Sequence, residues 1–306
     1  MKLKYAIIGT GALGGYYGAK LAQTGKDVHF LFHSDYQFVK ENGLKIDSVN
    51  GNFHLQQVNA YNTTQQMPVC DVVFVCLKTN NNRLLKDLLP PLLHKNTVVV
   101  LVQNGLGIEQ ELASFFPHLS IAGGLAFICS SKIGNGHIGH FDLGSLTLGS
   151  FQGDNKEILK QIIADLNESG VSAEISENLE KSRWEKLVWN IPYNGMTVVL
   201  NTTTDSLMKN PSSRQLIREI MQEVVEAARC CGAEVKDEFA EKMMHSTDIM
   251  TPYAPSMKLD FDFKRPMEID AIYTNPIITA RKAGYEMKKV AMLEQQLRFI
   301  QSSYIK

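Results

Sequence analysis

Lys4-Tyr5-Ala6-Ile7-Ile8-Gly9-Thr10-Gly11-Ala12-Leu13-Gly14 is the stretch on which the fold turns. Residues 3–8 form an apolar run of the kind a fully buried parallel strand requires. Residues 13–23 carry helix formers and small side chains, Gly25 supplies a stop, and residues 28–32 read as the next strand. Strand, glycine turn, helix and strand in that order open a doubly wound sheet. In the loop itself, Gly9 permits the tight turn, Gly11 lets a pyrophosphate approach the backbone, and Gly14 lets the helix pack closely on the strand. The amides of Thr10, Ala12 and Leu13 complete a helix start that faces an anion with the helix dipole behind it. The competing reading is a turn that merely joins strand to helix; the flanking β-α-β context favours a dinucleotide.

Working outward, residues 71–77 (DVVFVCL) and 97–102 (TVVVLV) are two more buried-strand candidates, with a helical stretch at 82–93 between them. Alternation of this kind calls for a parallel sheet with helices on both faces. Residues 134–149 are glycine-rich, with a short strand expected at 145–149, then a helix at 156–169 and a strand at 171–175. Past about residue 178 helical patterns take over, at 182–200, 213–231, 237–245, 269–283 and 286–300. The expected architecture is α/β: a Rossmann-type doubly wound parallel sheet over residues 1–178, followed by a mainly α-helical domain over 179–306 that supplies the catalytic groups.

Composition excludes several classes. The 306 residues carry a formal net charge of -1, which gives no broad basic footprint for nucleic acid. No apolar run approaches the roughly 20 residues of a membrane span. The short apolar stretch after Met1-Lys2-Leu3-Lys4 runs straight into glycines, as a strand does and a signal peptide does not. The five cysteines lack a CxxC, and Cys70, Cys76 and Cys129 lie in apolar segments. They read as buried, reduced thiols of a cytoplasmic protein. His137 and His140 have no cysteine or carboxylate cluster beside them, so no metal site is expected. The carboxy-terminal helices have apolar residues enough either to close a core or to form a dimer interface, which leaves monomer and homodimer both open.

Polar residues stand at the strand ends. After the second strand stand His33 and Ser34, where an NAD enzyme usually places an acid for the ribose 2′-hydroxyl. A carboxylate would repel a 2′-phosphate, whereas His33 and Ser34 can donate to one, so the cofactor expected is NADP (NADPH). Asp35, a step later, keeps NAD open, and a solvated loop is the bland alternative. Lys78 and Asn104 each follow an apolar strand, at the edge where open α/β sheets bind ligands. Either fits a phosphate, cofactor or substrate contact, or an ordinary polar turn.

Lys186, Asn190 and Asn194 are spaced i, i+4, i+8, beside a separate apolar stripe of Trp184, Leu187, Val188 and Ile191. On spacing alone the Lys/Asn stripe would face solvent. Two features point instead to a cleft. Asparagine repeated on a helix costs stability without a structural return, and Pro192 should bend the helix or free a carbonyl.

Together these residues resemble the ketopantoate reductase (2-dehydropantoate 2-reductase) family over nearly the whole chain. The carriers are the early GxGxxG, Lys78 in VCLKT, Asn104-Gly105 in VQNG, Trp184-Glu185-Lys186-Leu187 with Asn190 and Asn194, and the late Ser256-Met257, Asp260, Arg265 and Glu268-Ile269-Asp270. The resemblance implies reduction of a small 2-oxo acid by NADPH, ketopantoate to pantoate in pantothenate biosynthesis, in a cleft between a Rossmann and a helical domain. It further implies Lys186 as general acid, Asn104 as positioner of cofactor and substrate, and Glu268 as partner of the substrate's hydroxyl end. Asn190, Asn194 and Ser256 would bind substrate, and Lys78 would lie near the cofactor. Without the resemblance, Glu268 reads as an acid in a first helical turn. The chain departs from the family pattern at His33 (often arginine), Tyr253 (usually asparagine), Met267 (threonine) and Tyr273-Thr274 (Asn-Gly). Those departures motivate two alternatives: a sibling dehydrogenase for another 2-oxo acid, and a non-catalytic dinucleotide-binding sensor.

Overall fold

The computed structural model describes residues 2–252 and 254–305. The chain divides into two compact units. The first holds the residues up to Gln103 together with Ile108–Leu179; the second holds Asn104–Gly107 together with the residues from Glu180 onward. The short insert after the strand ending at Val102 therefore groups with the second unit.

The first unit runs β1 (Lys4–Ile8), α1 (Ala12–Gln23), β2 (Asp27–Leu31), α2 (Tyr36–Asn42), β3 (Leu44–Ser48), β4 (Phe53–Leu55), β5 (Asn59–Tyr61), β6 (Val72–Val75) and α3 (Leu85–Leu88). It continues with β7 (Val98–Val102), α4 (Ile108–Phe115), β8 (Ser120–Gly134), β9 (His137–Gln152), α5 (Lys156–Glu168) and β10 (Ala173–Ser176). Among the described residues these strands form one sheet, in the order β4-β3-β9-β8-β7-β6-β1-β2-β5, with β10 on β9. The pairs around β1 are parallel: β1 takes β2 on one side and β6 on the other, and β6 takes β7. The chain order reverses at β1, so the crevice beyond its carboxyl end is the switch point where such sheets bind ligands. β1, β6 and β7 are apolar and almost wholly buried, as strands covered on both faces must be.

The sheet departs from a purely parallel one at β3–β4 and β8–β9, which are antiparallel. The long β8–β9 hairpin replaces the short strand expected at 145–149. Its glycines hide it, because glycine weakens the strand pattern. They serve close packing instead: a Cβ at Gly123 would lie 2.7 Å from Leu179, and one at Gly149 2.9 Å from it. The three strands between α2 and β6 escape the sequence reading because they are short and of mixed polarity. The helix expected at 82–93 is broken into 3-10 turns (Thr79–Leu84 and Pro90–Leu92) around the single turn α3. Pro90 and Pro91 lack amide hydrogens and restrict the residues before them.

The second unit is helical: α6 (Leu179–Val199, its first residue grouping with the first unit), α7 (Thr204–Lys209), α8 (Pro211–Cys230), α9 (Glu238–Ile249) and α10 (Ser256–Asp262). A π-helical turn, Asp270–Thr274, then leads into α11 (Asn275–Lys282), and α12 (Lys288–Ser302) closes the unit. Trp184, Leu187, Val188 and Ile191 of α6 sit in its core with Val224 of α8, Ile272, and Val290 and Leu297 of α12. Buried Glu223 accepts the amides of Lys289 and Val290, each at 3.1 Å, and so caps α12 with a charge its dipole favours. Among the described residues no helix is long and apolar enough to cross a membrane.

Candidate active site

In the first unit the glycine loop is fixed from both sides. Gly9 takes φ +89°, and a Cβ there would lie 2.6 Å from the Leu77 amide nitrogen, so only glycine lets β1 and β6 end side by side. A Cβ at Gly14 would collide with the Gly9 carbonyl oxygen and stand 2.9 Å from Ile7. Thr10 Oγ1 donates to the Leu31 carbonyl at 2.8 Å and ties the loop to the end of β2. Gly11 differs from the other two: a Cβ built there meets nothing within 4 Å. The space above Gly11 is open, while the amides of Ala12, Leu13 and Gly14 belong to a first turn without an acidic side chain. A backbone cradle of this shape fits a pyrophosphate.

His33 and Ser34 are exposed just beyond β2. Lys78 is half-buried at the start of the 3-10 turn after β6, its carbonyl accepting from the Asn81 amide at 2.9 Å. The strand before it stops at Val75, two residues short of expectation. Cys70 and Cys76 are each pushed up to about 12 by burial, and Cys129 to about 11. These thiols are therefore unreactive packing groups.

In the second unit the Lys/Asn stripe of α6 does not face solvent. Lys186 is 8% exposed, Asn190 6% and Asn194 2%. Pro192 does not end the helix, which continues to Val199. Burial, with the Arg183 charge one turn earlier on the same helix and against the opposing charge of Glu268, lowers Lys186 to about 7. Glu268, 3% exposed, lies two residues before the π-helical turn. The Asn190 side-chain nitrogen is buried and has no hydrogen-bond partner among the described residues. Asn194 Oδ1 accepts the Met257 amide at 3.2 Å and so sets the first turn of α10, where half-buried Ser256 stands. Asp260, 2% exposed, pairs with Arg265 at 3.0 Å.

Half-buried Asn104 is held from the Glu268 side. The Leu106 amide donates to the Ala271 carbonyl at 2.9 Å, and Asn275 Nδ2 donates to the Leu106 carbonyl at 2.7 Å. A Cβ on Gly105 would collide with the Ala271 carbonyl oxygen, which explains the Asn-Gly pair. Lys186, Asn190, Asn194, Ser256, Glu268 and Asn104 thus belong to one unit, while Gly9 to Gly14, His33, Ser34 and Lys78 belong to the other.

Three participants escape the sequence reading. Arg183 was findable, since it lies three residues before Lys186 and shares its helix face. Asn275 was not, because its partner is 169 residues away. Tyr273 stands out in the sequence only as a departure from the family pattern. Its buried hydroxyl donates to the Ile191 carbonyl at 2.8 Å and receives the Gly195 amide, two groups that pair directly in an uninterrupted helix. It meets α6 at the turn from Ile191 to Gly195, which contains Pro192 and Asn194. Tyr253 lies outside the described residues.

The ketopantoate reductase PanE/ApbA family model matches residues 5–153, and its C-terminal counterpart matches residues 178–301. A curated 2-dehydropantoate 2-reductase of Nostoc sp. is 47% identical over 302 residues, covering 97% of this chain and 95% of the relative. The crystal structure of 2-dehydropantoate 2-reductase from Geobacter metallireducens superposes with a TM-score of 0.93 at 38% identity, over 97% of this chain and 99% of that one. A D-mandelate dehydrogenase solved with NADH and anilino(oxo)acetate shares the fold, at a TM-score of 0.91 and 24% identity over 99% of each chain. A pyridine-nucleotide-dependent oxidoreductase is the class these likenesses define. The chain belongs to the ketopantoate reductase family.

Proposed function

We propose that the protein reduces ketopantoate (2-dehydropantoate) to pantoate with NADPH; its 47% identical relative is named a 2-dehydropantoate 2-reductase. The observation that carries this reading is the buried Lys186, set on one helix with Asn190 and Asn194 and electrostatically coupled to Glu268. Burial of an ammonium costs several kcal/mol, and the chemistry accounts for that cost. When hydride reaches the C2 carbonyl carbon, the C=O π pair moves to oxygen. Lys186 Nζ stabilises that developing charge and gives the oxygen its proton, leaving a neutral amine. A group near pKa 7 is well matched to this exchange.

The Asn190 amide is a donor for the substrate, and Asn194 with Ser256 shapes the adjoining wall. Glu268 accepts from the substrate's hydroxyl and holds charge opposite Lys186. Asn104, fixed by Gly105 and Asn275, orients cofactor and substrate. Gly9 to Gly14 hold the pyrophosphate, with Lys78 close to the cofactor and His33 and Ser34 donating to a 2′-phosphate. A bound nicotinamide dinucleotide supplies the hydride. The Rossmann unit extends to about residue 178 and the catalytic helical domain covers the remainder, in a cytoplasmic protein.

The test is consumption of NADPH on addition of ketopantoate and of a panel of related 2-oxo acids, repeated with NADH. Strong preference for ketopantoate with NADPH is expected. Preference for another acid would establish the sibling dehydrogenase instead, and cofactor binding without turnover across the panel would establish the sensor.

A further inference from the structure

Asp35 stands one residue beyond His33 and Ser34 and is 5% exposed. An unpaired carboxylate at this end of β2 favours a ribose 2′-hydroxyl and repels a 2′-phosphate. This carboxylate is paired. Lys132 Nζ, from β8, lies 2.9 Å from Asp35 Oδ2, and the Gly136 amide donates to the same oxygen at 3.0 Å. Both arrive on the tip of the β8–β9 hairpin, which packs on α2: a Cβ at Gly136 would lie 2.9 Å from Val39 and 3.0 Å from the Gly43 carbonyl oxygen. The Lys45 amide, donating to the Gly136 carbonyl at 2.8 Å, fixes the tip from β3.

We propose that Lys132 is a positioning residue for cofactor choice: it holds and neutralises Asp35, so that the end of β2 presents His33 and Ser34 to a 2′-phosphate without an opposing carboxylate. The inference rests on the NADPH reading above. An ion pair has little field at a distance, whereas a lone carboxylate beside a phosphate of roughly -1.5 to -2 charge is repulsive. The hairpin is therefore a specificity device, formed by two residues 97 positions apart in sequence.

The test measures dissociation constants of NADPH and NADH, by nicotinamide fluorescence, for the full-length chain and its variants. In Lys132→Met, NADPH binding should weaken about tenfold while NADH binding changes by less than about threefold. Asp35→Asn added to Lys132→Met should restore NADPH binding to the wild-type level. A merely structural role would move both cofactors equally, and that result would overturn the proposal. So would failure of Asp35→Asn to rescue, which would mean that Lys132 meets the phosphate itself. Should Lys132→Met not fold, the double variant leaves no lone buried charge and decides alone: NADPH binding at the wild-type level supports the proposal, and a loss overturns it. The wild-type titration separates the two readings. A wild type that prefers NADH sinks the NADPH assignment, yet the NADPH-to-NADH ratio should still fall in Lys132→Met if Lys132 restrains Asp35.

Discussion

Helices α1 and α6 are both largely buried, and both carry candidate functional residues, but by opposite means. α1 works through its first turn and through side chains it lacks: Gly14 admits the strand, and Gly11 leaves space over the backbone amides. α6 works from its middle, through Lys186, Asn190 and Asn194, polar groups held at 8% exposure or less. A site made of backbone costs little beyond the choice of glycine and is compressed into six consecutive residues. A site made of buried side chains costs desolvation and draws its partners from distant segments. Substitutions on the two helices should accordingly separate binding from turnover.

The largest effect is expected at Lys186. Lys186→Met should lower kcat by about a hundredfold to ten-thousandfold, the usual range for a general acid, with NADPH binding unchanged. A variant with wild-type kcat would remove Lys186 from the chemistry. In the wild type, kcat/KM for reduction should fall as pH rises past about 7, because the proton to be donated is then missing, and the variant should lose that limb. Stability should respond to the same proton. Below about pH 7 Lys186 is charged in both folded and unfolded chains, and the fold carries the full cost of burying the ammonium. Between there and the ordinary lysine value of 10.5 the folded chain releases the proton while the unfolded chain keeps it, so the cost shrinks. Denaturant titrations of wild type and Lys186→Met should therefore shift in the variant's favour by about 2–3 kcal/mol from about pH 9 to about pH 6.

Next in size is a pair of substitutions on α1. Gly11→Ala places a methyl in open space, so stability should change by less than about 0.5 kcal/mol. The same methyl would intrude on a bound pyrophosphate and weaken NADPH by about 1–3 kcal/mol, roughly tenfold to a hundredfold. Gly14→Ala should do the reverse first, losing about 1–3 kcal/mol of stability against Gly9 and Ile7. Calorimetry and cofactor titration on both variants check the pair. Equal loss of cofactor binding with no difference in melting would contradict the distinct roles.

The same contrast explains what could be read from sequence. The glycine loop, the strands around β1 and the helical second half were legible because each is a local pattern of contiguous or periodic residues. The Lys/Asn stripe was legible as a violation: asparagine repeated in a helix with no local gain. The β8–β9 hairpin was not, since glycines that accommodate Leu179 erase the alternation a strand should show. Neither was the clamp on Asn104, nor the Lys132–Asp35 pair, because such partners meet only once the chain has folded. Tyr273 is visible in the sequence as a departure from the family pattern, but its partners, Ile191 and Gly195, are about 80 residues away.

Tyr273 carries the smallest expected effect and the sharpest question about α6. Its hydroxyl stands between the Ile191 carbonyl and the Gly195 amide, and a Cβ at Gly195 would lie 2.8 Å from it. Insertion of a side chain into a helical ladder is a recognised cause of local bending, and Pro192 already weakens the ladder at this turn. Asn190 directly precedes Ile191, and Asn194 directly precedes Gly195. Tyr273→Phe removes the oxygen and should cost about 1–2 kcal/mol, because two buried backbone groups lose their shared partner. If Tyr273 shapes the turn that presents the asparagines, KM for the 2-oxo acid should rise about threefold to tenfold while kcat and the NADPH dissociation constant hold, the split expected when substrate binding alone is weakened. A lower melting temperature with unchanged KM would reduce Tyr273 to a packing residue and leave the placement of Asn190 and Asn194 to Pro192 and the core.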